Sequence, residues 1–97
     1  MDKIELLNLT VNLDEKLCFI DGQEIKLSKN EFNLLVFLIS NKNKIYSQKE
    51  LLQNVWGEGV RVTERAVDTT ISRLRKKLGE FSKHIVTRQG FGYGFKE

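Results

Sequence analysis

Two copies of one short motif, Ser-x-x-Glu, fix where two helices begin in the middle of this 97-residue chain. The copies occupy residues 28–31 and 47–50. In such a capping box the serine hydroxyl accepts a hydrogen bond from the glutamate backbone N–H, while the glutamate side chain accepts one from the serine N–H. Apolar side chains at helical spacing follow the first motif, and a shorter apolar stretch follows the second. We therefore predict helices over residues 29–40 and 48–55.

A third helical pattern lies between Thr63, a good N-cap residue, and Gly79, a residue type that ends helices. It predicts a helix over residues 64–78, capped by Thr63. Its core-facing stripe consists of Val67, Ile71, Leu74 and Leu78. Its opposite face, which we call the outer face, consists of Arg65, Thr69, Ser72, Arg73 and Lys76.

Short apolar stretches flank these helices. Residues 4–27 contain four of them, separated by turn signals, and predict an antiparallel sheet, while residues 44–46 suit a brief extra strand. Residues 84–95 contain two more around a glycine-rich turn. The fold prediction is one α+β domain over residues 1–97. It is a winged helix-turn-helix with an N-terminal four-stranded antiparallel sheet, three helices and a C-terminal β-hairpin wing.

The outer face of the third helix carries no acid, which an ordinary surface helix would include to gain i,i+4 pairs. Arginine can pair with guanine and threonine can contact a thymine methyl when such a helix enters the major groove. Beside this face, Asp68 and Arg75 lie on one flank and Thr70 and Lys77 on the other. We expect the flanking cations to lie over phosphates, and Asp68 to orient Arg65 or Arg75.

The distribution of charge also favours an anionic partner. Residues 1–60 hold seven lysines and nine acids, a net of −2, whereas residues 61–97 hold nine basic and four acidic residues, a net of +5. Such asymmetry is typical of a surface that binds nucleic acid. A solvated basic face without a partner is the alternative that charge alone leaves open.

Composition leaves little from which to build an enzyme or a metal site. The chain has one cysteine, Cys18, and one histidine, His84, without partners at metal-ligand spacing. The glycines at 90–94 are not followed by a helix, as a phosphate-binding loop would be. No apolar run approaches the ~20 residues of a membrane span, and no secretory signal starts the chain. We expect a cytoplasmic, non-enzymatic domain with no cofactor and no membrane contact, and a buried or half-buried Cys18.

Several separated blocks of sequence resemble the output domains of OmpR/PhoB-type response regulators. The most specific are RAVDTTISRLRKKL at 65–78 and TRQGFGY at 87–93. Glu31 with Leu34-Leu35, Leu51-Leu52 and Val55-Trp56-Gly57 fit the same pattern, so the resemblance covers nearly the whole chain. It implies a bacterial two-component regulator domain with the fold predicted above. Such domains bind direct-repeat sites in double-stranded DNA, as dimers on the DNA, to control transcription.

Matching positions in the family also imply roles for single residues. Base or nearby backbone contacts fall to Thr69, Thr70 and Arg73, and phosphate contacts to Arg65, Ser72 and Arg75. The helical wheel places Thr70 on a flank, which favours a backbone contact for it. Further DNA-binding positions are Trp56, Lys76, Thr87, Arg88, Gln89 and Tyr93, the last at the base of the wing. The segment 56–62 resembles a loop through which some members touch RNA polymerase.

The chain departs from the family at the wing. Gln89 stands where a basic residue is common, so the wing cation is Arg88, one position earlier, and Gly94 replaces a residue that is often basic or bulky. The chain also has no room for a receiver domain. It is therefore the output part of a longer regulator, the DNA-binding domain of a ToxR/CadC-type membrane-anchored activator, or a stand-alone regulator without phosphorylation control. A winged-helix module for protein–protein contacts is the alternative outside DNA binding.

Overall fold

The computed structural model describes residues 2–57, Gly59 and residues 61–97, and it confirms the predicted fold class. The strands in this part of the chain are β1 (Lys3–Leu6), β2 (Leu9–Asn12), β3 (Leu17–Ile20), β4 (Gln23–Glu24), β5 (Ile45–Tyr46), β6 (Ile85–Arg88) and β7 (Gly92–Phe95). The α-helices are α1 (Lys29–Ser40), α2 (Gln48–Leu51) and α3 (Arg65–Leu78). A 3₁₀ segment, Gly79–His84, joins α3 to β6.

The N-terminal sheet is antiparallel throughout, in the order β1-β2-β3-β4. Between β3 and β4, Asp21 and Gly22 both have positive φ, 52° and 80°, as a tight two-residue hairpin turn requires. The predicted fourth strand, 23–27, is shorter than expected because the ladder ends at Glu24. Beyond one more backbone hydrogen bond, from Ile25 N–H to the Cys18 carbonyl, the chain leaves the sheet toward the cap of α1.

Both capping boxes form as predicted. The Ser28 hydroxyl accepts from the Glu31 N–H at 3.2 Å, and the Glu31 carboxylate accepts from the Ser28 N–H at 2.8 Å. The corresponding distances in the box of Ser47 and Glu50 are 3.1 and 2.8 Å. These bonds satisfy backbone donors that a helix start would otherwise leave free.

The second helix is not α-helical over its predicted length. It is α-helical over Gln48–Leu51 and continues as a π-helix over Leu52–Trp56, which ends where the Gly57 N–H donates to the Leu52 carbonyl. The helix predicted over residues 48–55 is therefore present, and its second half is π-helical. The two helix types differ in their backbone hydrogen bonds, i→i+4 against i→i+5, and a π-helical segment of five residues is too short for its apolar pattern to reveal the difference.

The predicted N-cap of α3, Thr63, is wrong. Glu64 occupies the cap position, and no side chain caps this helix. Instead, the Ala66 N–H donates to the Thr63 carbonyl at 2.9 Å and the Val67 N–H to the Glu64 carbonyl at 3.0 Å. A tight turn of the backbone thus satisfies donors that the Thr63 hydroxyl was expected to bind.

The core lies where α1 and α3 meet the inner face of the N-terminal sheet. All four residues of the α3 stripe are buried, together with Leu34, Leu35 and Leu38 of α1 and with Leu9 and Val11 of β2. Burying one such side chain stabilises the fold by about 1.5–3 kcal/mol. Cys18 joins this core, as predicted, and burial raises the pKa of its thiol to about 11. The buried stripe fixes the rotation of α3 and leaves its outer face toward solvent.

The C-terminal hairpin belongs to a three-stranded sheet in the order β5-β7-β6. Strand β7 pairs with both neighbours, so the short strand between α1 and α2 holds the wing from one side. Gly94 of β7 is buried, and a Cβ atom there would lie 2.3 Å from the Lys44 carbonyl oxygen. The close approach of β5 explains why this position has no basic or bulky side chain. No helix in the described ranges is long and apolar enough to cross a membrane.

Candidate nucleic-acid interface

The outer face of α3 is open to solvent along the whole helix. Its members Arg65, Thr69, Ser72, Arg73 and Lys76 are all exposed. In the part of the chain that the structure describes, none of its three cations forms an ion pair. Thr69 donates its hydroxyl hydrogen to the Arg65 carbonyl at 3.2 Å, and its oxygen keeps acceptor capacity. The face therefore presents unpaired positive charge and small polar groups.

Lys77, on one flank of this face, forms an ion pair within the protein. Its ammonium donates to Oε1 of Glu31 at 2.7 Å, and the Glu31 side chain is only 4% exposed. Burial by itself raises the pKa of this carboxyl, but hydrogen bonds from Lys77 and Ser28 outweigh burial and lower the pKa overall. Lys77 thus supplies the cation that a buried carboxylate needs, a role that the helical wheel did not predict.

Arg75, on the other flank, is joined to the wing. Its Nη2 donates to the Ile85 carbonyl at 2.8 Å and to the Thr87 hydroxyl at 2.7 Å. Its guanidinium carbon also lies 5.8 Å from the centroid of the Tyr93 ring, within range of a cation–π contact. Three predicted site residues, Arg75, Thr87 and Tyr93, are thus brought together. Since a guanidinium has five donors, Arg75 retains N–H groups for a further partner.

Asp68 forms no described hydrogen bond or ion pair with Arg65 or Arg75. The prediction that it orients one of these arginines was therefore wrong. The Gln48 amide nitrogen lies 2.7 Å from both oxygens of the Asp68 carboxylate, and the Tyr93 hydroxyl donates to one of them. Burial, followed by the hydrogen bond to Asp68 and its charge, raises the pKa of Tyr93 to about 12. Asp68 faces the groups of α2 and β7 because it lies on the flank of α3 that they cover.

The wing tip combines polar and apolar groups. Arg88 and Gln89 are exposed, and Phe91 is 71% exposed between two glycines of positive φ. Phe91 also lines an open cleft of about 460 Å³ between the wing and the starts of α2 and α3. Sequence reasoning missed Phe91 and Gln48. The glycines around Phe91 indicated a turn but not an outward aromatic ring, and Gln48 carries no signal beyond its place in a capping box.

Two remaining predicted site residues are partly covered. Trp56 packs against the core from the π-helical segment, and Thr70 donates its hydroxyl hydrogen to the Ala66 carbonyl at 2.8 Å. In the predicted RNA polymerase segment, 56–62, Glu58 and Val60 lie outside the described residues, whereas Arg61 and Val62 are exposed. No group of acids, cysteines or histidines in the described ranges is arranged to hold a metal ion.

Three packed helices, the last of them basic and exposed on its outer face, are followed by a β-hairpin. This arrangement defines the winged helix-turn-helix class. The family described as "Transcriptional regulatory protein, C terminal" matches residues 22–95 of the chain. The chain belongs to this family, which confirms its resemblance to OmpR/PhoB-type output domains.

Individual relatives agree with this assignment. The chain is 39% identical over 94 residues, 97% of its length, to the transcriptional regulatory protein VxrB of Vibrio cholerae. It is 43% identical over 77 residues, 78% of its length, to the phosphate regulon transcriptional regulatory protein PhoB of Pseudomonas aeruginosa. It spans only 38% and 34% of the lengths of these two relatives.

A solved structure with the same fold contains DNA. The RstA DNA-binding domain of Klebsiella pneumoniae, in complex with the RstA box, superposes with a TM-score of 0.84 at 31% identity. The match covers 98% of this chain and 97% of that one.

Proposed function

We propose that this chain binds double-stranded DNA in a sequence-specific manner, as the output domain of a two-component response regulator, and so controls transcription. The observation that carries the proposal is the outer face of α3. Three cations are exposed there without ion-pair partners in the described structure, on a helix whose opposite side is buried in the core. The likeness to the RstA domain, which was solved with its DNA box, supports the same function.

Within this proposal α3 enters the major groove. Arg73, at the centre of the outer face, contacts guanine, and Thr69 offers its methyl group and hydroxyl oxygen to a neighbouring base. Arg65, Ser72 and Lys76 contact phosphates around them. Thr70 and Trp56 contribute at most backbone contacts, since both are half-buried.

The wing supplies the second part of the proposed interface. Arg88 and Gln89 are the exposed polar groups at its tip and contact the minor groove or its phosphates. Thr87, Tyr93 and the free N–H groups of Arg75 lie at its base, where the DNA backbone passes between wing and helix.

The remaining parts of the proposal rest on the family. The domain acts on direct-repeat sites as a dimer on DNA, its 56–62 segment contacts RNA polymerase, and the protein is cytoplasmic and not an enzyme. Since the chain spans less than half of the relatives described above, phosphorylation control belongs to the proposed whole protein.

Selection from a pool of random duplexes tests the proposal. We expect enrichment of a defined sequence at moderate salt, and a binding constant that falls by ~0.9 log units per log unit of salt for each phosphate contacted. A variant with Arg73 and Lys76 both changed to alanine should lose this enrichment. Lys16→Ala removes one positive charge from an exposed turn of the N-terminal sheet and should retain it. Failure of the unchanged chain to enrich any duplex contradicts the proposal.

A further inference from the structure

Asp68 is the only acid on the wing-facing flank of α3 among the described residues, and both oxygens of its carboxylate accept hydrogen bonds within the protein. It accepts hydrogen bonds from Gln48 at the start of α2 and from Tyr93 in β7. Three separate elements therefore meet at one carboxylate. A half-buried carboxylate held in this way has no N–H or O–H to offer DNA, and phosphates repel its charge.

Tyr93 transmits the position of Asp68 to the wing. It lies in the central strand of the C-terminal sheet and is paired with Tyr46 of β5 on one side and Thr87 of β6 on the other. Thr87 directly precedes Arg88, the exposed cation of the wing tip. The Tyr93 hydroxyl thus anchors the middle of the wing sheet to α3, one residue pair away from the proposed DNA contact.

We propose that Asp68 is a positioning residue: by holding Tyr93 and Gln48, it sets the distance between the wing and the outer face of α3, and so couples wing contacts to helix contacts on one duplex. This inference rests on the proposed DNA-binding function. It predicts that loss of Asp68 removes the contribution of Arg88 to binding while the base contacts of α3 persist. Arg75 cannot replace Asp68 in this role, because it holds β6 rather than the tyrosine hydroxyl.

A double-mutant cycle tests this coupling. Affinity is measured for the duplex that the unchanged 97-residue chain selects from a random pool. We expect Arg88→Ala to weaken binding of the unchanged chain about tenfold, as loss of a charged hydrogen bond does. In the Asp68→Ala background, the same change should weaken binding less than about twofold, because the wing no longer reaches its contact.

Two further variants separate positioning from folding. Tyr93→Phe keeps the ring beneath Arg75 but removes the hydroxyl, so it should reproduce the loss of coupling even where Asp68→Ala destabilises the domain. Glu64→Gln neutralises an acid that lines the same cleft and whose side chain takes part in no described hydrogen bond, so Arg88→Ala should keep its full effect there. Guanine N7 protection by α3 should persist in both Asp68→Ala and Tyr93→Phe, whereas minor-groove protection by the wing should disappear.

Each result bears on the inference. The inference is overturned if Arg88→Ala weakens binding by its full amount in both the Asp68→Ala and the Tyr93→Phe backgrounds. It is also overturned if Tyr93→Phe removes DNA protection by α3 and by the wing together. No effect of Arg88→Ala in the unchanged chain also overturns it, because there is then no wing contact to position. If the unchanged chain selects no duplex, the DNA-binding proposal itself fails, and that outcome is distinct from the others.

Discussion

The ammonium of Lys77 lies 2.7 Å from Oε1 of Glu31, so the last turn of α3 is joined to the glutamate of the capping box at the start of α1. The Glu31 carboxylate therefore serves two helices: it accepts from the Ser28 N–H in the capping box and from a cation of the proposed recognition helix. Because its side chain is 4% exposed, loss of either partner leaves buried charge with fewer hydrogen bonds.

Replacing Lys77 with methionine should lower the free energy of unfolding by about 2 kcal/mol, the range for a hydrogen bond to a charged group. The change keeps most of the side-chain volume and removes the ammonium. Urea unfolding followed by fluorescence of Trp56, the only tryptophan, measures it. Lys76→Met is the matched control, because Lys76 lies on the exposed outer face and forms no described ion pair. Equal losses for the two variants would contradict a structural role for the ion pair.

The same contact predicts how stability depends on pH. The pKa of Glu31 is lowered from its usual 4.5 in the folded chain, so its stabilising effect is complete above that value. The effect is lost as pH falls through the lower folded pKa, because protonation then favours the unfolded chain. Glu31→Gln should therefore flatten the decrease in unfolding free energy that occurs as the pH falls below 4.5. Parallel curves for the variant and the unchanged chain would show that other groups govern acid unfolding.

Arg73 and Lys76 should differ in the kind of affinity that they supply. Arg73→Ala should cost about 1–3 kcal/mol on the selected duplex and relax preference at one base position. Lys76→Ala should weaken binding to all duplexes alike and reduce the salt slope by about 1. Arg75 is a poor phosphate control, because its removal also frees β6 from α3. Binding to single-base variants of the duplex, across a salt series, distinguishes the two roles. Uniform losses for both residues would mean that Arg73 does not contact a base.

Gly94→Ala should destabilise the domain by about 3 kcal/mol, because the added methyl group overpacks a close approach of two strands. Its Cβ would lie 2.3 Å from the Lys44 carbonyl oxygen and 2.9 Å from Cδ1 of Ile45. Gly90→Ala is the control: its φ of 83° strains an alanine, yet no atom lies within 4 Å of the added carbon, so the loss should be nearer 1 kcal/mol. Thermal unfolding measures both. A larger loss at Gly90 would place the constraint in the turn rather than between β5 and β7.

The features that sequence analysis predicted correctly depend on neighbours along the chain. The capping serines, the Asp21-Gly22 turn and the buried stripe of α3 each follow from residues a few positions apart. The outer face follows from the stripe, since both belong to one helix. These local patterns were enough to give the fold class and the exposed set of proposed DNA contacts.

The hydrogen bonds and ion pair that join α3 to other elements could not be predicted in this way, because the residues that form them are distant in sequence. Glu31 and Lys77 are 46 positions apart, and Asp68 is 20 and 25 positions from Gln48 and Tyr93. A helical wheel shows which flank a charge occupies but not which element covers that flank. The wheel therefore places Lys77 and Asp68 on the correct sides of α3 but does not reveal their partners within the protein.

The central strand of the C-terminal sheet has a consequence for the order of folding during translation. Strand β7 lies between β5 and β6, yet it is the last of the three to leave the ribosome. Strand β5 therefore has no strand to pair with until β7, in which Gly94 is the partner of Ile45, has been synthesised. A nascent chain can bury the α3 stripe earlier, but it cannot fix the wing beside the helix until residues 92–95 emerge. Emergence of this strand, rather than of α3, sets when a newly made copy first has the complete helix-and-wing surface that is proposed to bind DNA.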